Sequence, residues 1–99
     1  MRESTIEQYL VRRVKSLGGE VRKVKWIGRH GAPDRLVMLP PKYWYDKGCH
    51  GDGPLLWVEL KSPGEKAKPH QAREHEILRS MGQRVEVVDS FERVDDVLA

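Results

Sequence analysis

Leu55-Leu56-Trp57-Val58-Glu59-Leu60-Lys61 decides how the rest of the chain is read. Its apolar run has the length of a buried strand, yet it closes on two charges with a single residue between them. Side chains on a strand alternate faces, so Leu56, Val58 and Leu60 share one side, and Glu59 and Lys61 share the other. A bland strand has no need of a carboxylate and an ammonium at its inner end, because burying either is costly unless it is paired or bound to a metal. A second apolar run upstream, Leu36-Val37-Met38-Leu39, is introduced by Gly31-Ala32-Pro33-Asp34. The sequence therefore offers an Asp at the start of one strand and Glu-x-Lys at the end of another.

Outward from this centre the punctuation is clear. Ser62-Pro63-Gly64-Glu65 breaks the strand, and Pro69 has the character of a first helical residue. The helix it opens runs to Met81 and stops at Gly82. Ile77, Leu78 and Met81 are its expected buried stripe, with His75 at the core boundary and Gln71 one turn above His75. Val85-Glu86-Val87-Val88 is a short last strand. Ser90 then caps a final helix in which Phe91, Val94, Val97 and Leu98 recur at helical spacing. At the other end, Ser4 to Leu17 reads as a helix. Ser4 and Glu7 fit a capping box, Ile6, Leu10, Val11, Val14 and Leu17 recur at helical spacing, and Gly18-Gly19 stops it. Glu7 falls inside the apolar arc, so it caps the first turn, serves a site beneath the helix, or both. Glu20 to Ile27 and Asp34 to Leu39 are expected to pair as a hairpin around the turn Gly28-Arg29-His30-Gly31. The order αβββαβα, with a strand–helix–strand crossover, predicts an α/β fold: a mixed central sheet flanked by helices.

Between the second and third strands lies a long connection, Pro40 to Pro54. Loops of this length in a small domain are usually functional or mobile. Tyr43, Trp44 and Tyr45 among Lys42 and Lys47 suit stacking on unpaired bases, a subunit interface, or a partly packed hairpin tip. Cys49-His50 lacks partners at metal-binding spacing.

Ninety-nine residues suggest one domain, 1–99, with a modest core. Charge is polarised: up to Arg84 there are 17 Lys and Arg against 10 Asp and Glu, whereas Val85 to Ala99 carries one Arg against five acids. A basic body with an acidic tail suits a polyanionic partner, although solubility alone would also account for the net charge. One cysteine excludes an intrachain disulfide and a cysteine-only zinc site. No apolar signal segment or membrane-length run is present, so a cytoplasmic or nucleoid-associated setting and no membrane partner are expected.

These residues together resemble the PD-(D/E)xK nuclease superfamily and, within it, the virus-type replication-repair nuclease (VRR-Nuc) family, with its restriction-endonuclease-like core. The likeness is carried by Glu7 in the first helix, Gly31-Ala32-Pro33-Asp34 before the second strand, Val58-Glu59-Leu60-Lys61 on the third, and Gln71 opening the second long helix. It covers nearly the whole chain. Two departures stand out: the long 40–54 insertion, and the absence of an aromatic soon after Gln71. The resemblance implies metal-dependent cleavage of branched DNA, with compact stand-alone members of phages and bacteria acting as homodimers on four-way (Holliday) junctions.

On that footing Asp34 and Glu59 are hard oxygen ligands of the kind Mg²⁺ or Mn²⁺ takes. The backbone carbonyl of Leu60 is a third donor, and Glu7 a further one. Lys61 would orient the attacking water and stabilise transition-state charge, and Gln71 would orient the water or a phosphate oxygen. Glu7, Asp34, Glu59, Lys61 and Gln71 are thus the candidate catalytic set. Arg29, Lys66, Lys68 and Arg73 are candidate DNA contacts. A chain this short would select branched DNA or flaps by backbone geometry more than by base edges. The competing readings are a non-catalytic basic DNA-binding module that retains the fold, a restriction-like nuclease with sequence preference, and, for Asp34, Glu59 and Lys61 alone, a structural ion-pair cluster.

Overall fold

The computed structural model describes residues 1–45 and 55–99. In chain order the elements are α1 (Glu3–Ser16), β1 (Glu20–Lys23), β2 (Arg35–Met38), α2 (Lys42–Tyr45), β3 (Leu55–Leu60), α3 (Pro69–Ser80), β4 (Val85–Val88) and α4 (Phe91–Leu98). The strands form one mixed sheet in the order β1-β2-β3-β4. β1 and β2 pair antiparallel, as do β2 and β3, while β3 and β4 are parallel and joined by α3. A parallel pair needs such a crossover, because a tight turn cannot return the chain in the same direction.

The alternation in β3 sorts the helices between the two faces. Leu56, Val58 and Leu60 point into the apolar core with Val37 and Val88, and that face is covered by Ile6, Leu10 and Val14 of α1 and by Val94, Val97 and Leu98 of α4. The two helices are also tied to each other. Tyr9 stacks on Phe91 with ring centroids 4.4 Å apart, and its hydroxyl donates to Asp95 Oδ1 at 2.8 Å. α3 covers the opposite face, where Trp57, Glu59 and Lys61 project. Ser90 caps α4 as its sequence suggests, its Oγ accepting from Arg93 N–H at 3.0 Å.

Four expectations are corrected. The N-cap of α1 is Arg2, with no side-chain cap bond, so Ser4 lies inside the helix and the Ser4–Glu7 capping box does not form. β1 ends at Lys23: Val24 N–H still donates to the Asp34 carbonyl at 2.8 Å, but the hairpin is then closed by the Trp26 indole N–H on the Pro33 carbonyl, also at 2.8 Å. Part of the long connection is helical, as α2; the readings placed on Lys47 and Cys49-His50 lie outside the described residues. The stripe expected on α3 is also misplaced. Ile77 is 46% and Met81 74% exposed, whereas Glu74 and His75 are buried. The sheet beneath α3 offers charged side chains, so the helix meets it with polar partners.

Candidate active site

Register brings the distant acids together. The last paired positions of β2 and β3 are Arg35 and Val58. One step further along the same register sets Asp34 across from Glu59, and residues opposite each other in an antiparallel pair share a face. Beyond them stand Leu60 and Pro33, whose carbonyl accepts the Trp26 indole N–H. Trp57 and Lys61 give their N–H groups to β4, to Arg84 O and Val88 O, each at 2.9 Å. Alternation then turns the main-chain groups of Leu60 toward β2. Proline has no N–H to offer there, so the Leu60 carbonyl meets no ladder donor at the edge where Asp34 and Glu59 converge.

Glu59 is buried, and burial pushes its carboxyl up to about 7; Lys61 opposes the shift, while Asp34 and Glu3 add to it. A carboxylate in this state is short of positive charge. On its inner side, His75 Nε2 lies 3.2 Å from Glu59 Oε1. His75 is 1% exposed, and burial, with Arg79 and Lys61 adding to it, holds its pKa below the ordinary imidazole range. Whenever Glu59 is ionised, the neutral ring would have to be the donor of this bond.

Lys61 is 7% exposed. Its ammonium donates to Gln71 Oε1 at 2.8 Å, and among the described residues no carboxylate lies within ion-pair distance of it. The direct Glu59–Lys61 pair of a purely structural cluster is therefore not made. Gln71 Oε1 also accepts the Lys68 backbone N–H at 2.8 Å, which fixes the amide at the first turn of α3. Gln71 thus grips Lys61. Gly31 makes this close approach feasible. Its φ is +84°, and a Cβ there would stand 2.9 Å from the His70 carbonyl oxygen and 3.0 Å from the Gln71 Cα.

Glu7 neither caps α1 nor joins Asp34 and Glu59 in a three-carboxylate cluster; it accepts from the Arg35 guanidinium. The same guanidinium reaches Asp34, Nη1 to Oδ1 2.9 Å, so Arg35 links Glu7 to Asp34. Of the basic candidates, Lys66, Lys68 and Arg73 are exposed, while Arg29 makes a two-pronged pair with the buried Glu74, at 3.1 and 2.9 Å.

Arg35, His75 and Glu74 are the residues that the sequence reading missed. Arg35 had a signal: it lies two residues before buried Val37, on the same strand face, and Glu7 is the acid on the apolar arc of α1. His75 had one too, lying one helical turn after Gln71 and so on the same side of α3.

The donor set suits a small divalent cation. Two carboxylates and a carbonyl without a ladder donor supply hard oxygens, and Mg²⁺ takes few protein ligands and keeps several waters. Asp34, Glu59 and the Leu60 carbonyl would hold it.

No protein-family model matches the chain. A protein of Acyrthosiphon pisum secondary endosymbiont phage 1, described as "Putative nuclease p44", is 43% identical over 90 residues, covering 91% of this chain and 85% of that protein. A solved structure described as "VRR_NUC domain" superposes with a TM-score of 0.78 at 40% identity, over 97% of this chain and 92% of the other. The mixed sheet, its flanking helices and these two likenesses over nearly full length lead to one assignment: the chain belongs to the VRR-Nuc domain family.

Proposed function

We propose that this protein is a Mg²⁺- or Mn²⁺-dependent endonuclease that hydrolyses DNA phosphodiester bonds and acts as a homodimer on branched DNA such as four-way junctions. The observation that carries the reading is the buried Lys61, held by Gln71 beside Glu59 but paired with no carboxylate among the described residues. A structural cluster would quench that charge. A catalytic site keeps it for the phosphate.

The bound cation would supply charge neutralisation at phosphorus and a lowered pKa for the attacking water. The chain's own residues do the rest. Arg35 anchors Asp34 at the mouth of β2, and His75 anchors Glu59 on β3, so both carboxylates are positioned by strands, which hold geometry better than loops. The Lys61 ammonium faces the charge that builds on the phosphoryl oxygens, where a preorganised cation is worth most because no reorganisation is needed. Gln71 aims that ammonium, and its own amide N–H groups can donate to the water or to a phosphate oxygen. Family membership supports DNA as the substrate. A four-way junction is nearly two-fold symmetric, and a two-fold dimer would present one site to each of two equivalent strands.

The test is incubation of labelled four-way, flap and linear duplex DNA with Mg²⁺ or Mn²⁺. Wild type is expected to cut branched DNA in preference, chelator to stop it, and Lys61→Ala to lose roughly 10²- to 10³-fold in rate. A protein that binds branched DNA and cuts none with either metal would overturn the reading. Light scattering of the junction complex tests the dimer: a single copy per junction removes it.

A further inference from the structure

Adjoining the carboxylate cluster is a groove of about 530 Å³ lined by Lys23, Val24, Lys25, Trp26, Arg29, Ala32 and Asp34. Its volume is in the range of sites that take a small-molecule-sized unit, such as one nucleotide. Asp34 belongs both to this groove and to the candidate active site, so whatever lies in the groove leads to the cleavage centre. Lys23 and Lys25 are exposed, and among the described residues neither is in an ion pair. Arg29 is half exposed, and Glu74 fixes the direction of its guanidinium. Trp26 supplies an apolar wall that is itself immobilised by the Pro33 carbonyl and by Trp57, whose ring centroid is 5.2 Å away. β1 is an edge strand, and Val24 N–H points to β2, so the Lys23 N–H points outward along the groove side of the sheet.

We propose that this groove binds the DNA strand flanking the scissile phosphate, with Lys23 and Lys25 each holding a neighbouring phosphate and Trp26 supporting the sugar between them. The inference rests on the nuclease reading for its substrate. It assigns strand binding to the end of β1 and the residues that follow it. Phosphate contacts of this kind set the position of a strand without reading its sequence, which suits selection by shape.

The test compares the full chain with a Lys23→Gln/Lys25→Gln double variant and a control, Arg12→Gln/Lys15→Gln, that removes the same charge from the outer side of α1. Equal thermal melts check folding, and a Lys23→Arg/Lys25→Arg variant checks that charge is what matters. Binding of a labelled 20-mer duplex is followed in EDTA across salt concentrations. Losing two phosphate contacts is expected to reduce the slope of log K against log salt by about 1.8 in the groove variant, and by none in the control. With Mn²⁺, the same variant should cut DNA with KM raised about ten-fold and kcat little changed. Hydrolysis of bis(p-nitrophenyl) phosphate, too small to reach the groove, should match wild type. A groove variant with the wild-type slope and KM overturns the proposal. A slope that falls in a protein whose wild type cuts nothing supports the groove and removes the nuclease reading instead.

Discussion

Glu59 is where single-residue chemistry is easiest to read. Its folded pKa is raised, so between about 4.5 and 7 the folded protein keeps a proton that the unfolded chain has released. Stability from this group therefore falls as pH rises through that window, by about 3 kcal/mol in all. In metal-free buffer, Glu59→Gln should gain on wild type by that amount between pH 4 and pH 8 in urea denaturation; parallel pH profiles would refute it. A cation needs the deprotonated carboxylate, so Mn²⁺ affinity of the wild type should weaken as pH drops below 7. His75→Phe removes the donor behind Glu59 and is expected to weaken Mn²⁺ binding roughly 10- to 100-fold, read by calorimetry at fixed pH, with an unchanged affinity speaking against a positioning role. Asp34, Glu59, Lys61 and Gln71 were legible because charged or amide groups at the ends of apolar elements stand out. Arg35 and His75 left only a faint signal, the faces they share with Val37 and Gln71, since the partners that give them a role lie 28 and 16 residues away.

Among the elements, β3, β4 and α4 were read nearly to the residue, because apolar runs bounded by Gly, Pro and Ser leave little choice. α3 was placed correctly but turned wrongly. Periodicity assumes that a helix buries its most apolar stripe, and this one lies over the charged end of a sheet. The start of α3 depends on Gly31. Gly31→Ala combines a left-handed backbone with contacts near 3 Å to His70 and Gln71. A cost of about 1 to 3 kcal/mol in urea denaturation is expected, together with a fall in cleavage rate beyond what the fraction folded explains, because Gln71 and its hold on Lys61 shift. Wild-type stability and rate in that variant would show that the contact is slack. Ser90→Ala, far from the site, should cost about 1 kcal/mol through the lost α4 cap and leave the rate unchanged.

For the whole molecule, the polarised charge seen along the sequence acquires a location. Two of the tail's five acids are already engaged: Asp95 by Tyr9 and Arg13, and Glu86 by Arg84 and Arg93. Lys23, Lys25, Lys66, Lys68 and Arg73 have no such partners among the described residues, and Lys23 and Lys25 line a groove together with Asp34. Among the described residues no helix is long and apolar enough to cross a membrane. The fold thus sets Asp34 in a groove lined by lysines and carries Glu59 on the neighbouring strand. Anomalous diffraction from crystals soaked in Mn²⁺ tests this arrangement directly. The expected result is a peak within roughly 2.1 Å of a carboxylate oxygen of Asp34, one of Glu59 and the Leu60 carbonyl. A Mn²⁺ peak that touches only one of the two carboxylates, or none at saturating metal, would contradict it.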